Sequence, residues 1–328
     1  MRYKDGKRRK IKRIRNFLLL ISLVISFSIV NVGCTRFVND EDISLNEDFG
    51  FINNEKADID ESKDVEEDKK EALESDDKEL KKEEIESNVE NISSSNCLAS
   101  AKVNGVSKYD VEKMLKGKYE GPLANEKIVF LTFDDGPSRN TIEILNVLKK
   151  YKVNGTFFVL GSAVKSNPEY LKQVFESGNA IGNHTYNHSY KKIYPNQVVS
   201  ISDYMEEYNK TENEIRKVLG DEFSSNLIRM PGGEMSREFY NDPNLSSFKE
   251  RLKEKNIASV DWNALNGDAE GKNYSVNELV DYAKKSAEGK NHVVLLMHDT
   301  EQKYLTIRAL PEIIEHFIKE GYSFKIMI

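Results

Sequence analysis

The sequence is poor in cysteine, with two in 328 residues, Cys34 and Cys97. If Cys34 is modified, Cys97 has no partner and no structural disulfide can form. Long apolar runs are scarce as well. The one that stands out, Phe17 to about Val32, is 16 residues long, short of the ~20 that a bilayer-spanning helix needs. Aromatic residues are missing from a long stretch, since nothing between Asn39 and Asn96 after Phe51 is Phe, Tyr or Trp, and Asp, Glu, Lys, Ser and Asn dominate there. Such a segment cannot bury enough apolar area to offset the entropy of ordering it, so it reads as a solvated tether outside any core.

What is present begins with positive charge. Nine Lys or Arg precede the apolar run, an order that belongs to export signals, and the basic flank stays on the cytoplasmic side. Cys34, behind Val32-Gly33, resembles the acylation site of bacterial lipoproteins. A lipidated Cys34 and an uncleaved anchor are both open, and either leaves the remaining chain on the outer face of the membrane. Residues 1–38 are therefore read as signal peptide or membrane anchor, and 39–100 as a disordered acidic linker. On flexible-coil scaling that linker gives a reach of ~40 to 45 Å. The net charge of −7 sits mostly in the tether, so it says little about partners. No nucleic acid and no protein partner is implied.

With 38% hydrophobic residues, the chain has material for at least one full-sized domain, and the periodicity puts it C-terminal. Residues 101–126 read as a short extension. From Lys127, strand-length apolar runs appear at Ile128–Phe133, Thr156–Leu160, Ala180–Ile181, Leu227–Met230, Ile257–Trp262, His292–Met297 and Ser323–Ile328. Helix-period segments separate them, punctuated by Asn167-Pro168, by a Ser275/Glu278 capping box, and by Gly178, Gly289 and Gly321 as stops. Strand alternating with helix predicts a parallel sheet, and about seven such units predict a (β/α) barrel, with an open doubly wound sheet as the alternative.

In either architecture the working residues gather at the C-terminal ends of the strands. Five polar clusters fall there: TFDDGPS at 132–138, NHTYNH at 183–188, RMPGG at 229–233, VDWNALNGD at 260–268 and LLMHD at 295–299. Singly, each has an ordinary explanation in a turn, a cap, a surface ion pair or a core histidine. Together they require several coincidences at one mouth. His184 and His188, at i and i+4, are expected on one face of a helical turn, the spacing by which two imidazoles grip a metal. One carboxylate with two neutral imidazoles makes a three-ligand set with positions left for water, and the second carboxylate of the Asp134-Asp135 pair is then available for its proton. A magnesium-dependent phosphatase would leave both histidines idle, because Mg²⁺ prefers oxygen ligands.

TFDDGPS, HTYNH, RMPGG, the Trp262 to Asp268 segment and LLMHD stand in the order found in the polysaccharide deacetylases, carbohydrate esterase family four, which residues 127–328 resemble. The resemblance implies a distorted (β/α) barrel that removes acetyl groups from extracellular glycans with Zn²⁺, or another divalent transition metal such as Co²⁺. It implies Asp134 as general base and Asp135, His184 and His188 as metal ligands. Arg229 would pair with Asp134 and hold its carboxylate ionised. His298 would be the general acid, its pKa raised by Asp268. Gly232, through a backbone N–H, Leu296 and Trp262 would contact substrate. Chain departures fall in the groove: Gly232 stands where the family's Arg-x-Pro motif continues with an aromatic residue, Ala269 follows Asp268 where Trp is usual, and Ser189 follows the second histidine where Pro is usual. An anchored, tethered domain favours the cell's own wall, so the expected substrate is N-acetylglucosamine of peptidoglycan. N-acetylmuramic acid, chitin-like oligomers, acetylated xylan and a non-catalytic wall-binding role are the alternatives.

Overall fold

A computed structural model describes residues 95–328; the signal, anchor, lipidation and most of the tether expectations lie outside the described residues. Residues 95–100, expected in the linker, belong to the folded unit. Asn96 and Cys97 are buried, the Asn96 side chain donates to the Met327 carbonyl at 2.9 Å, and the Ile181 N–H donates to the Asn96 carbonyl. Cys97 is a free thiol. No helix among the described residues is long and apolar enough to cross a membrane.

The described residues open with a 3₁₀ helix (Ala99–Asn104), a short strand, β1 (Gly105–Val106), and helix α1 (Lys108–Leu115), then settle into strand–helix alternation. β2 (Ile128–Asp134) leads to α2 (Arg139–Tyr151), β3 (Thr156–Val159) to α3 (Gly161–Ser166) and α4 (Pro168–Glu176), and β4 (Ala180–Asn183) to α5 (Tyr190–Ile193) and α6 (Ile201–Leu219). β5 (Leu227–Ile228) is followed by α7 (Glu234–Phe239) and α8 (Leu245–Glu254), and the short strands β6 (Ala258–Ser259) and β7 (Ala264–Leu265) by α9 (Val276–Ala287). β8 (His292–His298), α10 (Tyr304–Lys319), β9 (Ser323–Phe324) and β10 (Ile326–Met327) complete it. Pro168 sits in the first turn of α4, where its missing N–H leaves no donor to satisfy. Ser275 and Glu278 form the reciprocal capping box of α9.

All pairings in the main sheet are parallel, in the order β6-β5-β4-β3-β2-β8-β7, with β9 also on β2. β6 and β7 lie at opposite edges of that sheet, yet four residues, 260–263, join them. So short a link reaches at most ~18 Å. The sheet must therefore curl until its edges approach, which makes it a distorted barrel and rules out the flat doubly wound alternative. The link serves both edges, because the Val260 N–H donates to Ile228 and the Asn263 N–H to Val294.

One expected strand is cut short and another is divided. Ile257–Trp262 ends at Ser259, since the chain there leaves one edge for the other. Ser323–Ile328 splits at Lys325 into β9 on β2 and β10 on β1.

β2 is buried along its whole length, as central strands covered on both faces are. Its residues alternate between two apolar clusters: Val129, Leu131 and Phe133 pack with the surrounding helices, while Ile128 and Phe130 join Phe158, Val294, Val260 and the α1 residues Val111 and Met114. By the two-residue period of a strand, Thr132 and Asp134, and Leu296 and His298 on β8, share the second face. The side chains that lead into the site thus share a face with the cluster that α1 closes.

Candidate active site

Register brings the first pair together. β2 and β8 are aligned so that Asp134 lies opposite His298, and Asp134 also pairs with Phe158 of β3. Asp135 follows with a left-handed backbone, φ 77°, a conformation Asp tolerates better than most residues. Its N–H still donates to the Phe158 carbonyl, so the β2–β3 ladder continues while the side chain turns away from the Asp134 direction.

His184 and His188 are not on a helical turn. They flank an irregular bend in which Thr185 and His188 have φ of 71° and 56°. The bend is pinned by side chains: Asn183 Oδ1 accepts the Thr185 N–H at 3.0 Å, and Thr185 Oγ1 accepts the His188 N–H at 3.2 Å. It brings the imidazoles together all the same, with ring centroids 5.0 Å apart. His184 Nδ1 lies 2.7 Å from the Arg229 carbonyl, so that nitrogen carries the proton and Nε2 is left as a lone pair. Burial, and then the neighbouring His188, pull the His184 pKa down to about 3; the ring is neutral, as a metal ligand must be.

Asp135 Oδ1 lies 3.6 Å from His184 Nε2 and 3.9 Å from His188 Nε2, and one ligand atom from each of the three residues falls within 4.8 Å of the others. Asp135 Oδ1 is buried with no hydrogen-bond partner. A buried carboxylate oxygen rarely goes without a partner. A divalent cation at the convergence of these atoms satisfies it, so the donor set fits a metal ion, with the nitrogen and oxygen ligands that zinc and similar ions accept.

Beside this trio, Arg229 Nη1 donates to Asp134 Oδ1 at 2.9 Å and to Thr132 Oγ1 at 2.8 Å, and Arg229 Nε donates to the Val260 carbonyl. The guanidinium stacks on Phe158, 4.1 Å from the ring centre. Arg229 acts on the Asp134 pKa in the expected direction, but it is not the largest influence. Burial pushes its pKa above the usual carboxylate range, and Arg229 and His298 oppose that without overcoming it. On the other flank, His298 Nδ1 lies 2.8 Å from Asp268 Oδ1. Burial acts to lower the His298 pKa, but Asp268, followed by Asp134 and Asp135, lifts it to about 9. Asp268 is itself held by the Thr306 hydroxyl at 2.7 Å and the His298 N–H at 2.9 Å.

The three residues expected at substrate fare differently. Leu296 is buried on β8, two residues before His298. Gly232 has φ +76°, a left-handed backbone that favours glycine, and a Cβ there would come within 2.5 Å of the Tyr190 hydroxyl. Trp262 packs against the Arg229 guanidinium, 5.6 Å away, and would lie 3.1 Å from a Cβ on Gly233, so it braces the Arg229 and Gly233 region from the link between the sheet edges.

Other residues shape the site without having announced themselves. Asp261 Oδ1 and Oδ2 accept the Glu234 and Met235 N–H groups at 2.8 and 2.7 Å, clamping the turn after Gly233. Asp299 is 1% exposed and lies so close to Gly136 that a Cβ there would meet its carboxyl at 2.1 Å. Its pKa is pushed up to about 7 by burial, against the hydrogen bond from Thr141 Oγ1. The only sequence signals were an Asp directly before Trp262 and one directly after His298, neither of them distinctive alone.

A family model described as polysaccharide deacetylase matches residues 123–246, a span that contains Asp134, Asp135, His184, His188 and Arg229 but not Asp268 or His298. The chain is similar to the peptidoglycan-N-acetylglucosamine deacetylase of Bacillus cereus, 33% identical over 202 residues that cover 61% of this chain and 86% of that protein. It is also similar to the peptidoglycan-N-acetylmuramic acid deacetylase PdaA of Bacillus subtilis, 30% identical over 203 residues, 61% of this chain and 70% of that one. The solved structure of a Streptococcus mutans CE4 esterase shares the fold at a TM-score of 0.64 and 33% identity, covering 72% of this chain and 97% of that chain.

Proposed function

Because this chain belongs to the polysaccharide deacetylase family, we propose that it is a metal-dependent hydrolase that removes the N-acetyl group from N-acetylglucosamine in peptidoglycan. The observation that carries the metal dependence is the partnerless, buried Asp135 Oδ1 aimed at His184 and His188. Zn²⁺ is the ion the donor set favours. Bound there, it would polarise the acetyl carbonyl and make a water more acidic.

The chain's own residues then divide the work. Asp134, raised above an ordinary carboxylate yet held by Arg229, takes a proton from the attacking water as its oxygen bonds to the acetyl carbon. A backbone N–H at the Gly232 turn donates to the carbonyl oxygen as charge builds on it. His298 has Nδ1 committed to Asp268, so Nε2 gives its proton to the sugar nitrogen as the C–N bond breaks. Acetate and a free amine are released. Leu296 and Trp262 border the space for the acetyl methyl and the sugar.

Peptidoglycan is favoured because both similar deacetylases are named for acting on it. The N-terminal segment is proposed to hold the domain on the outer face of the membrane, at the wall, through the apolar run or a lipidated Cys34. The charge order of residues 1–32 supports that reading. Incubating the purified full chain with peptidoglycan and with acetylated xylan tests the substrate. Acetate and new glucosamine amines from peptidoglycan are expected; new muramic acid amines would move the assignment to the other sugar, and acetate from xylan alone would overturn it.

A further inference from the structure

Gly232 leaves the turn after Arg229 without a side chain, but the space is not open. The Tyr190 hydroxyl stands 2.5 Å from where a Cβ on Gly232 would be. Tyr190 begins the short helix α5, two residues after His188, and its ring lies edge-on to the His188 imidazole at 5.2 Å. It is 44% exposed. A lone exposed tyrosine needs no explanation, but this one joins a metal-ligand candidate to the turn proposed above to hold the carbonyl oxygen.

The ring is also held from behind. Tyr194, 3% exposed, packs on it at 5.6 Å and donates its hydroxyl to the Pro231 carbonyl at 3.1 Å. The buried Arg237 guanidinium lies 4.4 Å from the Tyr194 ring centre and donates to the Gln197 carbonyl at 2.9 Å. Tyr190 therefore keeps an aromatic surface in a fixed position beside the site, and rigid aromatic groups bind at little entropic cost.

We propose that Tyr190 is the aromatic wall of the glycan groove in this chain: it fills the place Gly232 leaves bare, and a sugar ring of the acetylated polysaccharide packs on it next to Asp135, His184 and His188. The inference rests on the deacetylase reading above. Tyr190 acts by positioning the sugar, with no part in proton transfer.

The test compares wild type, Tyr190→Ala and Tyr190→Phe as full chains, on soluble N-acetylglucosamine oligomers and on a small aryl acetate that has no sugar to stack. The readout is the ratio of kcat/KM on the two substrates. Tyr190→Ala is expected to lower the ratio about three- to tenfold, mainly through KM on the oligomer, the scale of one aromatic contact. Tyr190→Phe keeps the ring and is expected to keep the ratio within about twofold. If Tyr190→Ala does not fold, judged by its thermal melt, Tyr190→Leu reads the same ratio with the bulk kept and the ring removed. An unchanged ratio in the ringless variant overturns the inference. If wild type hydrolyses neither substrate, the deacetylase reading fails by itself, and calorimetric titration with the same oligomers decides the wall: a Kd raised in the ringless variant upholds it, while equal binding, or none by wild type, overturns it.

Discussion

Asp134 and Arg229 form an ion pair at 2.9 Å with side chains 3% and 0% exposed. Neither charge has water to fall back on, and Arg229 is further tied to Thr132, Val260 and Asp261. Replacing it by Met leaves a buried carboxylate unpaired. Breaking a buried pair from one side typically costs ~3 to 5 kcal/mol. Arg229→Met is expected to lose stability on that scale in urea unfolding. In whatever folded enzyme remains, the acid limb of kcat/KM is expected at higher pH, because the cation that opposed the upward shift of Asp134 is gone.

The His298–Asp268 contact sets the other limb. The acid form of His298 is the active one, so its pKa of about 9 keeps the rate up through neutral pH and lets it fall as pH rises through that value. The base form of Asp134 is the active one, so the rate falls as pH drops through its raised pKa. A bell-shaped profile follows. Asp268→Asn removes the largest opponent of burial at His298, and its alkaline limb is expected at lower pH. His298→Ala is expected to lose ~10² to 10⁴-fold in kcat. A pH profile of each variant checks both.

Asn183 is the support under the metal ligands. It is 1% exposed, donates to the Tyr208 carbonyl and Glu212 Oε1, and accepts the Thr185 N–H. Asn183→Ala strands those groups, at ~1 to 3 kcal/mol for a buried unsatisfied group. Since His184 is the next residue, metal affinity is expected to fall about tenfold or more, in line with other supporting contacts around metals. Competitive metal titration checks it.

Gly232 has two reasons to be glycine, its φ of +76° and the nearby Tyr190 hydroxyl. Ala on a left-handed backbone costs ~1 to 2 kcal/mol. For a domain of this size that corresponds to a Tm lower by ~2 to 4 °C for each kcal/mol. Removing the hydroxyl as well, in Gly232→Ala with Tyr190→Phe, is expected to recover only the steric part of that loss, as a thermal melt would show.

The barrel was legible because its strands are continuous apolar runs and its helices carry local stop and start signals. The register of β2 against β8, which sets Asp134 opposite His298, was implied by both motifs lying at strand ends. What was not legible depends on the third dimension. The bend at 184–188 is set by Asn183 and Thr185 side chains, so a four-residue spacing looked helical when it was not. The Asp134 pKa turns on how completely the residue is buried, which the expected pairing with Arg229 did not reveal. Tyr190 was invisible as a neighbour of Gly232, 42 positions away, because nothing along the chain links them.

Metal content per chain, measured together with acetate release for wild type, Asp134→Asn and Asp135→Asn, tests the division of labour most directly. Wild type is expected to hold close to one zinc and to lose both metal and activity on chelation. Asp134→Asn is expected to keep the metal and lose turnover; Asp135→Asn is expected to lose the metal, with excess zinc restoring part of the rate. Metal lost from Asp134→Asn and kept by Asp135→Asn would exchange the two roles, and metal kept by both would contradict a site built on Asp135, His184 and His188.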